Sequence, residues 1–264
     1  MKLLEVIRGE KTSAETLASA FALASRMRKI PVEAGVCDGF IGNRILTRYR
    51  QICDVMLIEG ATPWQVDGAL TEFGMAMGPY AVQDLSGLDI AYANRQRKNL
   101  REAEGIRYIP IADRMVEELK RLGRKTGAGW YNYPASGGIV PSDIVQELVE
   151  DTSRDTGIAR HAFTDAEITD RAITAMIDEG LRILDEGISN RAADIDLVLV
   201  HGYGFPRWRG GPMRYAEEVG LPRMRDRIAA YADADPLSWS VPPLLDRLIA
   251  DGKTLADLDT DKTG

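Results

Sequence analysis

Thiol and imidazole chemistry have little to work with here: 264 residues carry two cysteines and two histidines. Cys37 and Cys53 form no CxxC pair and lie beside or within apolar helical pattern, which marks them as core thiols of a reducing compartment rather than a disulfide or metal clip. His161 and His201 have no acid–base partner at helical spacing, so each reads as a surface or packing histidine. No His, Cys and carboxylate cluster has ligand spacing, and no metal site is expected. A Gly-x-Ser-x-Gly elbow is missing too. Basic residues are outnumbered, 33 against 40 acidic, for a net charge of −7 with no run of five like charges. A nucleic-acid partner wants a basic stripe, so none is expected. No apolar run approaches a membrane span, and Glu5 interrupts what would be the apolar region of a signal peptide. The setting expected is the cytoplasm.

Strands are scarce as well. Residues 3–8 (LLEVIR) are the one convincing strand, followed by a turn at Gly9. A lone strand cannot satisfy its own backbone, so it expects a sheet that the rest of the sequence does not supply. Ile30 to Ala34 reads as an extended connection, because Pro31 biases its neighbour away from helix.

Helix is what the sequence has instead. Thr12-Ser13-Ala14-Glu15 fits a capping box and opens a helix to about Arg28. An apolar helix follows from Gly39 to Glu59, with Ile45, Leu46, Tyr49, Ile52, Cys53, Met56 and Leu57 at helical spacing and Gly60 as its stop. Thr62 and Pro63 start another, running to Gly74. Pro79 opens a further one, the stretch from Gly87-Leu88 to about Glu104 is helical, and Ile111 to Leu122 is amphipathic. A glycine-rich aromatic loop, residues 123–133, precedes a linker at 134–141.

The second half repeats the first. At a shift of 127 residues, Arg44, Thr47, Leu57, Glu59, Gly60, Asp67 and Leu70 fall on Arg171, Thr174, Leu184, Glu186, Gly187, Asp194 and Leu197. After six extra residues the shift is 133, and Gly78-Pro79 and Gly87-Leu88 fall on Gly211-Pro212 and Gly220-Leu221. Two tandem helical units follow, with apolar faces expected to pack on each other as in an internal dimer. The copies differ where chemistry would sit: Asn43 becomes Asp170, and Gly39-Phe40 becomes Ala166-Glu167. Glycines of the second copy gather in residues 202–212, a loop read as packing with two salt-bridged arginines, Arg207 and Arg209, or as an anion site.

The stretch Asp38 to Leu46 (DGFIGNRIL) is the candidate centre. Gly39 and Gly42 allow backbone or ligand to approach closely, and Asn43 and Arg44 stand at a helix start that favours carbonyl or acidic partners. The same residues also describe a helix entry with a buried Asn cap. No dinucleotide fingerprint is present: Gly202-x-Gly204 runs into Pro206-Arg207, and Gly127-x-Gly129 into Trp130-Tyr131. Gly252-Lys253-Thr254 is not a phosphate loop, since Arg247 holds the place of its first glycine.

In order, Met1 to Gly9, Thr12-Ser13, Lys29 to Val32, Asp38 to Arg44 and Met77-Gly78-Pro79 resemble L-3-hydroxyacyl-CoA dehydrogenase. Gly129-Trp130-Tyr131, Leu184 to Gly187 and the 202–212 loop resemble the two-copy helical tail of the multifunctional fatty-acid β-oxidation protein, in which an enoyl-CoA hydratase part precedes the dehydrogenase. The resemblance implies an all-α fold of two tandem repeats packed as an internal pseudo-dimer, with one short strand left from a Rossmann domain. Its domains would be 1–34, a remnant strand and linker helix; 35–134, the first C-terminal domain; and 135–264, the second. It implies oxidation of a 3-hydroxyacyl-CoA with NAD as hydride acceptor. In the family a histidine removes the hydroxyl proton, and a glutamate orients that histidine. Glu5 matches the glutamate and Asn43 the substrate-site asparagine; Gly39, Phe40, Met77, Gly78 and Pro79 fall in substrate-binding stretches, the last three in the acyl or thioester pocket. The histidine and the NAD-binding domain would lie before Met1, so no cofactor-binding residue is assigned. This chain is expected to fold, to be inactive alone, and to need an NAD-binding and hydratase region. The other implied partners are acyl-CoA and a thiolase subunit or a second copy. The alternative is a non-catalytic helical module that binds acyl-CoA or a separate NAD-domain chain.

Overall fold

The computed structural model describes residues 1–103, 105 and 107–260. The chain opens β1 (Leu3–Arg8), α1 (Ala14–Arg26), β2 (Ile30–Gly35), and the rest is helical. The first copy holds α2 (Gly42–Glu59), α3 (Pro63–Phe73), α4 (Pro79–Ser86), α5 (Leu88–Arg97) and α6 (Ile111–Glu117), followed by α7 (Asp143–Asp155). The second holds α8 (Asp165–Asp185), α9 (Ala192–Gly202), α10 (Pro212–Val219), α11 (Leu221–Ala234), α12 (Pro243–Asp251) and α13 (Asp257–Thr260).

The strand expected to stand alone has a partner. β2 pairs with β1 in parallel, from Leu3 opposite Ile30 to Arg8 opposite Gly35. Pro31 does not prevent this, because a proline lacks only the donor and is tolerated at an edge. Val32 and Ala34 are buried, and α1 makes the crossover that parallel strands require. Helix α1 starts one residue later than the capping box suggested: Ser13 Oγ accepts from Thr16 N, while Thr12 Oγ1 accepts from Gly9 N. Helix α6 is five residues shorter than its amphipathic pattern, since Lys120 turns left-handed at φ 54° and Arg121 leaves to bind a loop. The expected end of the helix after Leu88 at Glu104 lies outside the described residues; α5 itself stops at Arg97.

The residues form two compact units, and neither is a single stretch of one copy. One comprises Met1–Tyr49 with Ile173–Gly264, the other Arg50–Ala172. Both long helices, α2 and α8, change unit near their middles. In the first unit, Ile41, Ile45 and Tyr49 of α2 and its entry share the core with Ile173, Met176, Ile177 and Leu181 of α8. Here α2 and α8 run antiparallel: Arg44 meets Glu186 and Glu179, while Arg48, a turn later, meets Asp178, one turn and more earlier. In the second unit, Ile52, Cys53, Val55, Met56, Leu57 and Ile58 are all fully buried, so this half of α2 is apolar nearly all round and packed on several sides. Each such side chain contributes roughly 1.5–3 kcal/mol by leaving water.

The repeat is visible in matched geometry. Gly87 and Gly220 start α5 and α11 at φ 97°, ψ 125° and φ 94°, ψ 127°. Arg44 with Glu186 and Arg171 with Glu59 are the same pair exchanged at a shift of 127. One register differs from the sequence alignment. Asp67 caps α4 through the amides of Tyr80 and Ala81, both at 2.9 Å, and the residue that caps α10 through Met213 and Arg214, at 2.7 and 3.0 Å, is Asp196 rather than Asp194. Two of the six extra residues therefore precede α9, and four follow it.

Candidate functional site

Between β2 and α2 the backbone makes a left-handed double step, Gly39 at φ 84° and Phe40 at φ 50°. The turn is closed by Phe40 N donating to Cys37 O and by the Cys37 thiol donating to Phe40 O, both at 3.3 Å. Phe40 has a Cβ and adopts this region at a cost, whereas Gly39 does so freely. The result is that two orphan amides at the start of α2 face the same way. Ile41 N and Gly42 N donate to Glu5 Oε1 at 2.9 and 3.3 Å. Burial pushes the Glu5 carboxyl above its usual range, and these two amides pull it back in part. Oε2 of Glu5 has no hydrogen-bond partner among the described residues.

Asn43 follows in the first turn and is exposed, so the buried-cap reading does not hold. Its Oδ1 accepts from Tyr203 Oη at 3.0 Å, and its backbone carbonyl accepts from Thr47 Oγ1 at 2.8 Å. Gly42 lies under the Tyr203 ring, where an added Cβ would stand 2.1 Å from Cε2. Arg44 is held elsewhere. Its guanidinium spans Glu179 at 2.5 Å and both oxygens of Glu186 at 2.6 and 2.7 Å, so its work is structural.

Met77, Gly78 and Pro79 lie in the other unit. Gly78 and Pro79 are buried, and a Cβ on Gly78 would meet Asp67 Cγ at 2.3 Å, so the glycine lets that carboxylate reach the α4 amides. Because Gly211-Pro212 and Asp196 repeat the arrangement, this pair has a backbone task in both copies; Met77 is its exposed neighbour. Asp67 also accepts from Tyr131 Oη at 2.8 Å, and Asp84 holds the amides of Trp130 and Tyr131 at 2.8 and 3.0 Å. Arg121 takes the carbonyls of Gly129 and Tyr131 from the other side, which anchors the aromatic loop. The structure thus gathers Glu5, Gly39, Phe40 and Asn43 in one unit and leaves 77–79 in the second.

Neither histidine is hydrogen-bonded to Glu5 among the described residues. His161 is exposed and its ring faces Phe163 at 4.4 Å. His201 is pushed below its usual range by burial and then by Arg207 and Lys2. In the 202–212 loop the salt-bridge expectation fails for Arg207, which forms no ion pair among the described residues; Arg209 lies over the rings of Trp208 and Tyr215, at 4.0 and 5.7 Å. Tyr203, 160 residues from its partner, was not among the candidates. Its signal in the sequence was an asymmetry: at the matching helix end the first copy has Gly74.

The described residues do not fit a dinucleotide. Of the two β-to-α turns, the one from Gly9 to Ser13 is closed by its own hydroxyls, since Thr12 and Ser13 bond the amides of Gly9 and Thr16, and the one before α2 gives its amides to Glu5. No group of three or more His, Cys, Asp or Glu is placed to hold a metal, and no helix is long and apolar enough to cross a membrane, among the described residues.

A parallel βαβ piece leading into a helical domain built twice is the fold of the dehydrogenase part of multifunctional enzyme 1 from C. elegans, whose crystal structure matches at a TM-score of 0.71 and 28% identity over 94% of this chain and 56% of that one. The chain belongs to the family described as 3-hydroxyacyl-CoA dehydrogenase, C-terminal domain, which matches residues 39–133 and 168–256. The NAD-binding domain of the same enzymes matches residues 1–37. Among curated relatives, the peroxisomal bifunctional enzyme of Danio rerio is 43% identical over 96% of this chain and 37% of its own length. The fatty acid oxidation complex subunit alpha of Psychrobacter arcticus is 35% identical over 96% of this chain and 36% of its own. The chain therefore spans a little over a third of the curated relatives it matches.

Proposed function

We propose that these residues are the substrate-closing and association part of an NAD-dependent 3-hydroxyacyl-CoA dehydrogenase of fatty-acid β-oxidation, which converts a 3-hydroxyacyl-CoA to the 3-ketoacyl-CoA. One observation carries the reading. Glu5 is tied by one oxygen to the amides of Ile41 and Gly42 and keeps the other unbonded, and the next residue along the chain is Asn43 with its exposed carboxamide. A carboxylate so held suits the orientation of a histidine base and the stabilisation of its charged form as the hydroxyl proton leaves. Asn43 Nδ2 then donates to a substrate oxygen, with Gly39 and Phe40 shaping the turn beside it and Met77, Gly78 and Pro79 assigned to the acyl or thioester pocket.

No hydrogen bond joins a histidine to Glu5 among the described residues, so the base is assigned to a histidine of the NAD-binding region, and the dinucleotide with it. On this reading the domains divide as 1–34, 35–134 and 135–264. The partners are acyl-CoA, an NAD-binding and hydratase region, and a thiolase subunit or second copy. The compartment assigned is the cytoplasm; the peroxisome named for the Danio rerio relative is the competitor, and fractionation separates them.

The test is NADH-dependent reduction of acetoacetyl-CoA. The 264 residues alone should give no turnover, and addition of an NAD-binding domain of the family should restore it, with Glu5→Gln lowering the restored rate by about 10²-fold. Turnover by the chain alone would move the chemistry to His161 or His201. Binding of acyl-CoA with no response to any NAD-binding domain would make the chain a non-catalytic module.

A further inference from the structure

The fold is built twice, and the differences between its copies isolate one contact. Asn43 in the first turn of α2 has Asp170 as its counterpart in α8, and Tyr203 at the end of α9 has Gly74 as its counterpart at the end of α3. A contact that the shared fold needed would appear in both copies, as the exchanged Arg–Glu pairs and the aspartate caps do. The Asn–Tyr contact appears once, because Gly74 has no side chain to offer. Room is also made for it: only a residue without Cβ fits at position 42 beneath the ring.

We propose that Tyr203, supplied by the second copy, is a positioning residue for Asn43; this rests on the reading of Asn43 as the substrate-site amide. A carboxamide has a donor end and an acceptor end of nearly equal shape. By donating to Oδ1 at 3.0 Å, the phenol fixes which end faces outward, and Nδ2, which has no partner among the described residues, becomes the group presented to a carbonyl or hydroxyl oxygen of the acyl-CoA. The same bond draws electron density toward Oδ1 and strengthens the N–H donor. Released from the phenol, the amide turns over and offers Oδ1, which repels the carbonyl oxygen of a 3-ketoacyl-CoA such as acetoacetyl-CoA. The second copy has thus lost its own site residues but completes the first copy's.

Tyr203→Phe keeps the ring over Gly42 and removes only the hydroxyl, so the fold survives, as circular dichroism and an unchanged melting temperature will verify. In the chain supplied with an NAD-binding domain, Tyr203→Phe should lower kcat/KM for acetoacetyl-CoA about tenfold. On top of Asn43→Ala it should cost nothing further. In the chain alone, the side-chain amide resonances of Asn43, assigned by their loss in Asn43→Ala, should shift in Tyr203→Phe, which a purely packing role of the ring would not produce. Normal turnover in Tyr203→Phe with impaired Asn43→Ala overturns this inference and leaves the site reading intact. Normal turnover in Asn43→Ala overturns the site reading and this one with it.

Discussion

Folding takes the carboxyls of Asp54, Asp67 and Asp196 out of water, and burial pushes them up to about 7, 6 and 7. Hydrogen bonds from Tyr80 to Asp54, and from backbone amides to the other two, return part of what desolvation costs. In the unfolded chain each ionises near 3.8, so between that value and the folded one the native state binds the extra proton. Their contribution to stability is complete below about pH 4 and is lost as pH rises toward 7. Asp54→Asn keeps an oxygen for the Tyr80 hydroxyl and removes the titration. Urea unfolding at pH 5 and pH 8 should show a decline in the parent chain that is shallower in the variant by about 2 kcal/mol. An equal decline in both would place the Asp54 carboxyl in water.

The exchanged ion pairs give α2 and α8 a shared dependence that is uneven in strength. Arg44 is the partner of Glu179, whose side chain is 12% exposed, and of Glu186, which is 51% exposed. Arg44→Ala leaves Glu179 half-buried without its cation and should cost about 2 kcal/mol. Glu186→Ala removes an exposed partner and should cost under about 1 kcal/mol. Arg171→Ala should also be mild, because Glu59 keeps Arg107 at 3.3 Å. Thermal melts of the three variants check the order, and Arg171→Ala as the most damaging would contradict it. These helices were legible because their signals are local: Thr62 caps α3, Gly74 and Gly60 end α3 and α2, and Gly78-Pro79 opens α4. What escaped was non-local. The pairing of β2 depends on β1, which lies 27 residues away, and the Tyr203–Asn43 contact spans 160 residues. The Asp196 cap was missed for a different reason: a fixed shift of 127 assumed that the link before α9 had kept its length. Glu5 was reached through resemblance alone, since a glutamate on a strand carries no periodic mark, whereas Asn43 stood out at the glycine-flanked helix start and took only its substrate-site role from the resemblance.

On the scale of the molecule, each compact unit draws on both halves of the sequence. Met1–Tyr49 shares its core with residues after Ile173, and Arg50–Ala172 contains the start of α8. Residues 1–134 or 135–264 made alone should therefore lack native helicity, and mixing the two should restore it. A chain nicked in the exposed 135–141 linker should still elute as one species under native conditions. Independent folding of either half, seen by circular dichroism and a cooperative melt, would contradict this. The exchange of the long helices also bears on how such a chain changes over generations. A duplicated domain whose copies stand side by side can lose one of them and return to its earlier form. Here each copy has handed half of its longest helix to the other, so deleting either removes part of both cores. The second copy is then free to shed Gly39-like and Asn43-like residues, as Ala166 and Asp170 record, yet it is never dispensable.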